Sequence, residues 1–308
     1  MIYLDPKNDL TFKRIFGEHP HLCISLLNSL LPLGNDEKII ELEYLPAELV
    51  PEIPILKRTI VDVRCKDMKG RQFIVEMQMY WTESFKNRVV FNASKAYVKQ
   101  LDSAKEYKLL QPVYALNLVN ETFEHDMSEF YHHYKIVNTT YPEKTIEGLE
   151  FVFVELPKFK AKNLSERKLQ YLWLKFLTEI EDGTEVIPKE LLEDELINEA
   201  INYLASNSYT KAQLEHYDRY WDSILTERSA YLDAEQRGLI EGEAVGKKKG
   251  EEIGIKKGEE IGIKKGEEIG KIEIAKNAIK EGLPVEMIIK LTGLPKDEIE
   301  KLDGQQRR

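Results

Sequence analysis

The sequence predicts an α/β protein whose sheet has mixed strand directions and is flanked by helices, followed by an all-helical C-terminal region. Two observations carry this prediction. Residues 56–65 and 72–81 are rich in β-branched and apolar side chains and flank a turn around 67–70, which is typical of a β-hairpin. A segment of helical period, 84–108, then separates the hairpin from the apolar run 112–119, as expected of a crossover to a strand covered on both faces.

The other segments of the N-terminal half fit the same fold class. Residues 9–31 have the apolar spacing of amphipathic helix, interrupted near Pro20. Residues 38–45 and 149–156 are predicted strands of the same sheet. From about residue 161 to 239 the apolar spacing is helical, which predicts a helical subdomain packed on the sheet.

The composition changes abruptly near residue 238. Glycine recurs at every fourth position from Gly238 to Gly270, and from Gly250 onward the chain follows the eight-residue repeat "GEEIGIKK". Such a repeat suits either a helix with a glycine seam that admits a second helix, or a solvated spacer. The sequence leaves both alternatives open, and in neither do we expect this segment to take part in catalysis.

The last segment contains short helical patterns separated by Gly-Leu-Pro at 282–284 and 293–295, the proportions of a helix-turn-helix. Its final helix mixes lysines with acidic residues, which suits protein interaction or self-association at least as well as DNA reading. We therefore expect four regions: an α/β core at 1–160, a helical subdomain at 161–237, the glycine-repeat helix or spacer at 238–271, and a helix-turn-helix-like tail at 272–308.

Composition narrows the class of protein. The chain of 308 residues has no run of about 18 apolar residues, and its charged N-terminus does not resemble a secretory signal. Cys23 and Cys65 do not suggest a disulfide framework, so we expect a reduced, cytoplasmic protein without a membrane span. The net charge of −10 argues against non-specific coating of nucleic acid, although not against a local basic cleft. The six histidines lack zinc-site spacing, and His132 and His133 are expected at the surface.

Two acidic residues stand among apolar neighbours in the predicted hairpin. A turn centred near Lys69 places Asp62 opposite Glu76, and ionised carboxylates at that spacing repel unless a cation lies between them. The hard ions Mg²⁺ and Mn²⁺ suit two carboxylates and can activate a water for attack on a phosphate. Gln78 would then lie beside that water as an orienting amide.

Two plainer interpretations of the hairpin remain open. Asp62 and Glu76 could be solvated residues on the exposed face of a sheet. Alternatively, Arg64 and Lys66, on the same face as Asp62, could neutralise it.

The opening "DPKNDLTFKRIFG", the "VDV" around Asp62 and the "VEMQ" at 75–78 together resemble the Rpn group of recombination-promoting nucleases and transposases, within the PD-(D/E)XK nucleases. The resemblance covers about residues 1–160 and implies a restriction-endonuclease-like fold. It also implies that Asp62, Glu76 and the carbonyl of Met77 bind the metal. Gln78 stands where the superfamily usually has lysine, which leaves the competence of the site open.

The resemblance places the first helix beside the site. Asp9 and Lys13, four residues apart on one helical face, would then support the metal and contact a phosphate, respectively. The alternative is a surface ion pair. On the crossover helix, Arg88, Lys95 and Lys99 share one stripe, which with Lys57 and Arg58 would form a phosphate-binding rim or, alternatively, a solvated face.

The leading hypothesis is a Mg²⁺- or Mn²⁺-dependent DNA endonuclease that hydrolyses phosphodiester bonds, of the recombination-promoting nuclease or transposase type. DNA is the expected partner, together with self-association through the C-terminal helices. One alternative is a catalytically weak or inactive nuclease-fold accessory protein that binds DNA or protein. Another is a transposition accessory protein whose target is a second protein.

Overall fold

The computed structural model describes residues 1–49, 59–101, 106–160 and 168–306. These residues form two compact units, Met1–Arg228 and Ser229–Arg308. The first unit is built on a mixed sheet with helices on both faces, and the second is all helical, which confirms the predicted fold class. Within the described residues, no helix is both long and apolar enough to cross a bilayer.

Eight strands occur in the described part of the first unit: β1 (Leu42–Tyr44), β2 (Glu48–Leu49), β3 (Thr59–Ile60), β4 (Val63–Asp67), β5 (Gln72–Gln78), β6 (Val113–Val119), β7 (Tyr131–Val137) and β8 (Thr145–Glu155). Six of them form one sheet in the order β1-β4-β5-β6-β8-β7, and β2 and β3 pair separately. The β5–β6 and β6–β8 pairs are parallel, whereas β1–β4, β4–β5 and β7–β8 are antiparallel.

The β4–β5 hairpin has the register that the sequence predicts. Its pairs run from Lys66 opposite Gln72 to Val63 opposite Val75. Asp62 lies in a bend one residue before β4, so it stands just beyond the last pair of the ladder. The hairpin therefore brings Asp62 to the end of β5 that carries the predicted site residues.

The described helices of the first unit are α1 (Asp9–Phe12), which continues into a π-helical turn at Lys13–Gly17, then α2 (Pro20–Leu30), α3 (Glu83–Val98), α4 (Lys168–Glu179), α5 (Lys189–Leu192), α6 (Glu195–Tyr203) and the start of α7 (Lys211–Lys280). Helix α3 is the crossover between the parallel strands β5 and β6. It ends at Val98, earlier than the predicted segment 84–108, of which residues 102–105 lie outside the described part.

The sheet separates two hydrophobic clusters. On one face, α1, α2, α4 and α6 pack around fully buried side chains such as Phe16 and Trp173. On the other face, α3 packs Val89 and Ala93 against β6 and β8. Along β5, Ile74 belongs to the α3 face, whereas its neighbour Val75 belongs to the opposite one. This alternation turns Glu76 toward α3.

Strand β7 is absent from the sequence prediction. It lies at the sheet edge, is mostly exposed, and has an irregular register with β8. The expectation that His132 is a surface residue is wrong, because its side chain is only 8% exposed and its Nε2 lies 2.7 Å from Oε1 of the buried Glu155. Glu155 also accepts a hydrogen bond from Lys158 at 2.8 Å, so these side chains fix the end of β8.

The second unit contains the remainder of α7, then α8 (Val285–Thr292) and α9 (Lys296–Gln306), which surround a small core that includes Ala275, Ile288 and Ile299. The glycine repeat is helical within α7, and a Cβ added at any of its nine glycines would meet no atom outside its own helix within 4 Å. Helix α8 ends at Gly293, whose φ of +69° is the left-handed conformation that terminates helices.

Candidate active site

Asp62 is held against the end of β5 by a backbone hydrogen bond. The N–H of Met77 donates to Asp62 Oδ2 at 2.7 Å. Burial raises the pKa of Asp62 to about 7; the Met77 N–H opposes this rise, and the charge of Glu76 adds to it. The two carboxyl groups therefore interact electrostatically, as the predicted hairpin pairing requires.

Glu76 is 5% exposed and points toward α3. Its Oε1 accepts a hydrogen bond from Asn92 Nδ2 at 3.1 Å, and its Oε2 lies 3.5 Å from Arg88 Nη2. Burial raises the pKa of Glu76, while Asn92 and Arg88 oppose the rise. This environment differs from that of a solvated acidic residue on an open sheet.

The two cations on β4 have other partners. Arg64 donates to the side chain of Gln72 at 2.9 Å, and Lys66 pairs with Glu43 at 3.0 Å. The interpretation that they serve to neutralise Asp62 therefore receives no support from these contacts.

Gln78 has both ends of its side-chain amide engaged. Its Nε2 donates to the carbonyl of Tyr80 at 2.7 Å, and its Oε1 accepts from Arg88 Nη2 at 2.6 Å. Arg88 thus bridges Gln78 and Glu76, the two residues that the sequence places two positions apart on β5. Its side chain belongs to the candidate site itself and not only to a rim around it.

Asp9 and Lys13 form an ion pair of 2.6 Å, with side chains 28% and 40% exposed. This is the geometry of the predicted surface pair, yet both residues also lie close enough to act on Asp62. The charge of Asp9 raises the pKa of Asp62 and that of Lys13 lowers it. Lys13 begins the π-helical turn, a local irregularity that is often found at functional sites.

The predicted cationic stripe on α3 divides into two parts. Arg88 reaches the site, whereas Lys95 lies over the ring of Phe91, and desolvation together with the charge of Lys99 lowers the pKa of Lys95. Asn92 occupies the same stripe four residues after Arg88, a spacing that would have revealed it from sequence. The proposed rim residues Lys57 and Arg58 lie outside the described residues.

Sequence reasoning also missed Tyr220, in the first part of α7. Burial raises the pKa of its hydroxyl, and the charges of Asp62 and Asp9 raise it further, so the hydroxyl lies within electrostatic range of these acidic residues. Tyr220 is separated from Asp62 by more than half of the chain, and no local pattern in the sequence signals this proximity.

The available donors suit a hard cation. Asp62 and Glu76 supply carboxylate oxygens, and the carbonyl of Met77 faces the same side of β5 as its N–H, which bonds to Asp62. Asn92 Oδ1, beside Glu76, is buried and has no hydrogen-bond partner in the described structure. Across residues 1–49, 59–101, 106–160 and 168–306, no group of three or more His, Cys, Asp or Glu side chains is arranged to hold a metal. Mg²⁺ commonly uses only one or two carboxylates, with water completing its shell.

Comparison with known proteins identifies the family. A model of the PD-(D/E)XK nuclease family transposases matches residues 6–231, which include every candidate site residue described above. No match was found among curated proteins or among solved structures. The matched segment covers the sheet, the α3 crossover and the first part of α7, so the chain belongs to the PD-(D/E)XK nuclease family transposases, with a restriction-endonuclease-like α/β fold.

Proposed function

We propose that the protein is a divalent-metal-dependent DNA endonuclease in which Asp62 and Glu76 hold the ion. The observation that carries this proposal is the placement of the Asp62 carboxyl group at the end of β5 by the Met77 N–H, next to the buried Glu76 at the same strand end, with the pKa of both carboxyl groups raised. Two like charges with little access to water repel each other and are stabilised when a cation binds between them. Family membership supports nucleic acid as the substrate.

The reaction is hydrolysis of a phosphodiester. A water oxygen forms a bond to phosphorus, the bond from phosphorus to one sugar oxygen breaks, and the departing oxygen takes up a proton. A bound Mg²⁺ or Mn²⁺ would polarise a phosphate oxygen and make the attacking water more acidic. In this proposal Asp62 and Glu76 bind the ion, the Met77 carbonyl adds a backbone ligand, and Asp9 supports the acidic cluster.

Binding of the DNA backbone is proposed for cations of α3 and of the turn that follows α1. Desolvation and, to a smaller extent, the charge of Lys99 lower the pKa of Lys95, and these two lysines form a concentration of positive charge that suits a phosphate. Lys13, next to Asp9 at the site, is a further candidate. Such a local basic surface allows a chain of net charge −10 to bind DNA.

The decisive experiment measures nicking of supercoiled plasmid with Mg²⁺, with Mn²⁺ and with chelator. Asp62→Ala and Glu76→Ala should each abolish the metal-dependent product while thermal denaturation shows an intact fold. Glu43→Ala is the matched control, because it removes an exposed carboxylate that pairs with Lys66 on β4, and it should cut like wild type. Nicking that survives in both site variants would refute the assignment.

A second function rests on a different observation. Gln78 and the Arg88–Glu76 contact occupy the place where a nuclease of this superfamily is expected to have a lysine. A nuclease fold with little catalysis, acting as a DNA- or protein-binding accessory, would retain metal and DNA binding without turnover. A wild-type protein that binds plasmid and Mn²⁺ but yields no nicked product would favour this alternative.

We further propose that the C-terminal region serves assembly and not chemistry. Helix α8 buries Ile288 and Thr292, while Met287 and Leu291, four residues apart, are exposed. Such an apolar pair suits self-association, and the glycine repeat at 238–271 would act as the connecting segment.

A cytoplasmic location is proposed from Cys23 and Cys65, both buried as free thiols.

A further inference from the structure

The amide of Gln78 is already committed within the protein. Its nitrogen donates to the carbonyl of Tyr80 at 2.7 Å, and its oxygen accepts from Arg88 at 2.6 Å. The sequence alone predicts that Gln78 orients the attacking water directly. These two short hydrogen bonds fix the orientation of the amide, so that its one remaining N–H and its one remaining acceptor position could serve a water only where that fixed orientation presents them.

Arg88 is placed differently. Its side chain is 47% exposed, its guanidinium carbon lies 4.8 Å from the ring centroid of Phe85, and its Nη2 is 3.5 Å from Glu76 Oε2. A guanidinium is always charged and carries five donors, of which the Gln78 and Glu76 contacts use only the Nη2 group. Arg88 can therefore keep both contacts and still present donors to an oxygen anion outside the protein.

We propose that Arg88 is a catalytic residue that supplies the cation for the scissile phosphate, and that Gln78 is a positioning residue acting through it. The inference rests on the proposed nuclease function and adds a role for a residue of α3. The charge expected on β5 at position 78 is provided instead from the neighbouring helix, ten residues further along the chain.

The role of Arg88 follows from the charges in the reaction. As the water oxygen bonds to phosphorus and the bond to the sugar oxygen breaks, negative charge grows on the phosphate oxygens and on the departing oxygen. A fixed guanidinium at that position stabilises this charge, while the proton of the water leaves to solvent and another is taken up by the departing oxygen. Gln78 and the ring of Phe85 hold the guanidinium in one orientation.

The competing explanation is that Arg88 only neutralises Glu76 when no metal is bound. Both explanations predict that Arg88→Ala tightens metal binding, because a positive charge 3.5 Å from a carboxylate oxygen is removed. They differ in the cleavage rate at saturating metal. A merely neutralising arginine predicts an unchanged or faster rate, whereas a catalytic arginine predicts a slower rate despite tighter binding.

The test is single-turnover plasmid nicking at saturating Mn²⁺, together with direct Mn²⁺ titration by calorimetry. Arg88→Ala should lower the rate by about 100-fold or more, the typical effect of losing one preorganised electrostatic contact. Arg88→Lys should recover part of the rate. Lys86→Ala is the matched control, since Lys86 is a similarly exposed cation of α3 that pairs with Glu124, and its rate should stay close to wild type.

Two double variants test the positioning role. Introduced into the wild-type protein, Gln78→Ala should lower the cleavage rate. Introduced into the Arg88→Ala variant, it should lower the rate no further, because its effect depends on the arginine. Gln78→Lys combined with Arg88→Ala should recover at least ten-fold of the lost rate, since it returns a cation to the position of the amide.

The outcomes separate the inference from the proposed function. If Arg88→Ala cuts as fast as wild type at saturating Mn²⁺, Arg88 is not catalytic. If Gln78→Ala loses the same factor with and without Arg88, the amide acts on the water directly and the positioning role is wrong. If wild type shows no metal-dependent nicking at all, the proposed function fails, and the inference fails with it.

Discussion

The buried Glu76 and the partly buried Asp62, at the end of one hairpin, require compensation for the loss of hydration of their carboxyl groups. At Glu76 this comes from the Asn92 amide and the Arg88 guanidinium. At Asp62 it comes from the Met77 N–H and, more weakly, from the charge of Lys13, which has Asp9 as its ion-pair partner. The difference explains why the pKa of Asp62 rises to about 7, so that a proton can take the place of a cation.

The raised pKa of Asp62 predicts how stability depends on pH in the absence of metal. Because the folded protein holds the proton up to a pKa of about 7 and the unfolded chain only to 3.8, the contribution of Asp62 to stability is complete below 3.8 and is lost as pH rises through 7. Thermal denaturation of wild type and Asp62→Asn in chelator should therefore diverge between about pH 4 and 7, the variant becoming relatively more stable.

Subtracting the melting temperatures of the two proteins removes the titration of carboxyl groups that do not interact with Asp62. The pKa of Glu76 is raised as well, and Glu76 remains coupled to Asp62 in this comparison. Saturating Mg²⁺ at pH 8 should raise the melting temperature of wild type more than that of Asp62→Asn, since the ion binds the folded, ionised form. A melting-temperature difference that stays constant across this pH range would show that Asp62 is ionised in the folded protein throughout.

At the residue scale, the sequence predicted that Asp62 and Glu76 lie at the same end of the hairpin, because acidic residues interrupt apolar strands whose register was predictable. It could not show that Gln78 is engaged by Arg88, because that contact depends on the rotation of α3 about its axis over the sheet. The sequence could not predict the interaction of Tyr220 with Asp62, because it depends on the tertiary packing of segments that are distant in the chain.

Helix α3 is the element that carries both Arg88 and Asn92 to the site. Its C-terminal turns lie against β8, where an added Cβ at Gly148 would come 3.3 Å from the hydroxyl oxygen of Tyr97. Gly148 also has a φ of +149°, a conformation that residues with a side chain rarely adopt. The position of α3 therefore depends on the absence of a side chain on the neighbouring strand.

We expect Gly148→Ala to destabilise the protein by about 1–3 kcal/mol, the usual cost of a strained backbone conformation. Gly17→Ala is the control, because its φ is not in the left-handed region and its Cβ would make ordinary contacts at 3.8 Å and beyond. Urea denaturation should show this variant within about 0.5 kcal/mol of wild type. Equal effects of the two substitutions would contradict the assigned constraint at Gly148.

At the scale of elements, hairpin β4–β5 and strand β6 were predictable because their signals are local and strongly apolar. Strand β7 was not, since an exposed edge strand needs no regular alternation and its pairing with β8 contains a register shift. The end of α3 was placed too late, because polar residues after Val98 continue a helix-compatible composition.

For the molecule as a whole, the unit Met1–Arg228 has its own core and contains every candidate site residue. We therefore expect a chain ending at Gln236 to fold and to cut DNA at the wild-type rate per folded molecule, with losses confined to self-association or affinity. Analytical ultracentrifugation and single-turnover nicking at saturating DNA check these two expectations. Disappearance of turnover would show that the C-terminal unit contributes to the active site.

A shorter chain ending at Thr210 is the contrasting control. It lacks Tyr217, which is 2% exposed, accepts a hydrogen bond from the backbone of Asp5 at 2.9 Å and donates to Asp182 at 2.9 Å. Removal of these buried contacts should lower the melting temperature strongly, whereas truncation at Gln236 should leave it nearly unchanged.

The two thiols offer a chemical route to detecting local opening of the core behind the candidate site. Cys23 and Cys65 are fully buried, and the hydrogen bond with Cys23 together with burial holds the pKa of Cys65 well above its usual range. Both features protect a thiol from alkylating reagents, which attack the exposed thiolate. Cys65 lies on β4 three residues after Asp62, but its side chain packs beside Cys23 of α2 on the sheet face opposite α3, so its alkylation reports transient separation of α2 from the hairpin. The rate at which iodoacetamide modifies this native side chain thus measures how often the separation occurs, and no cysteine has to be introduced for the measurement.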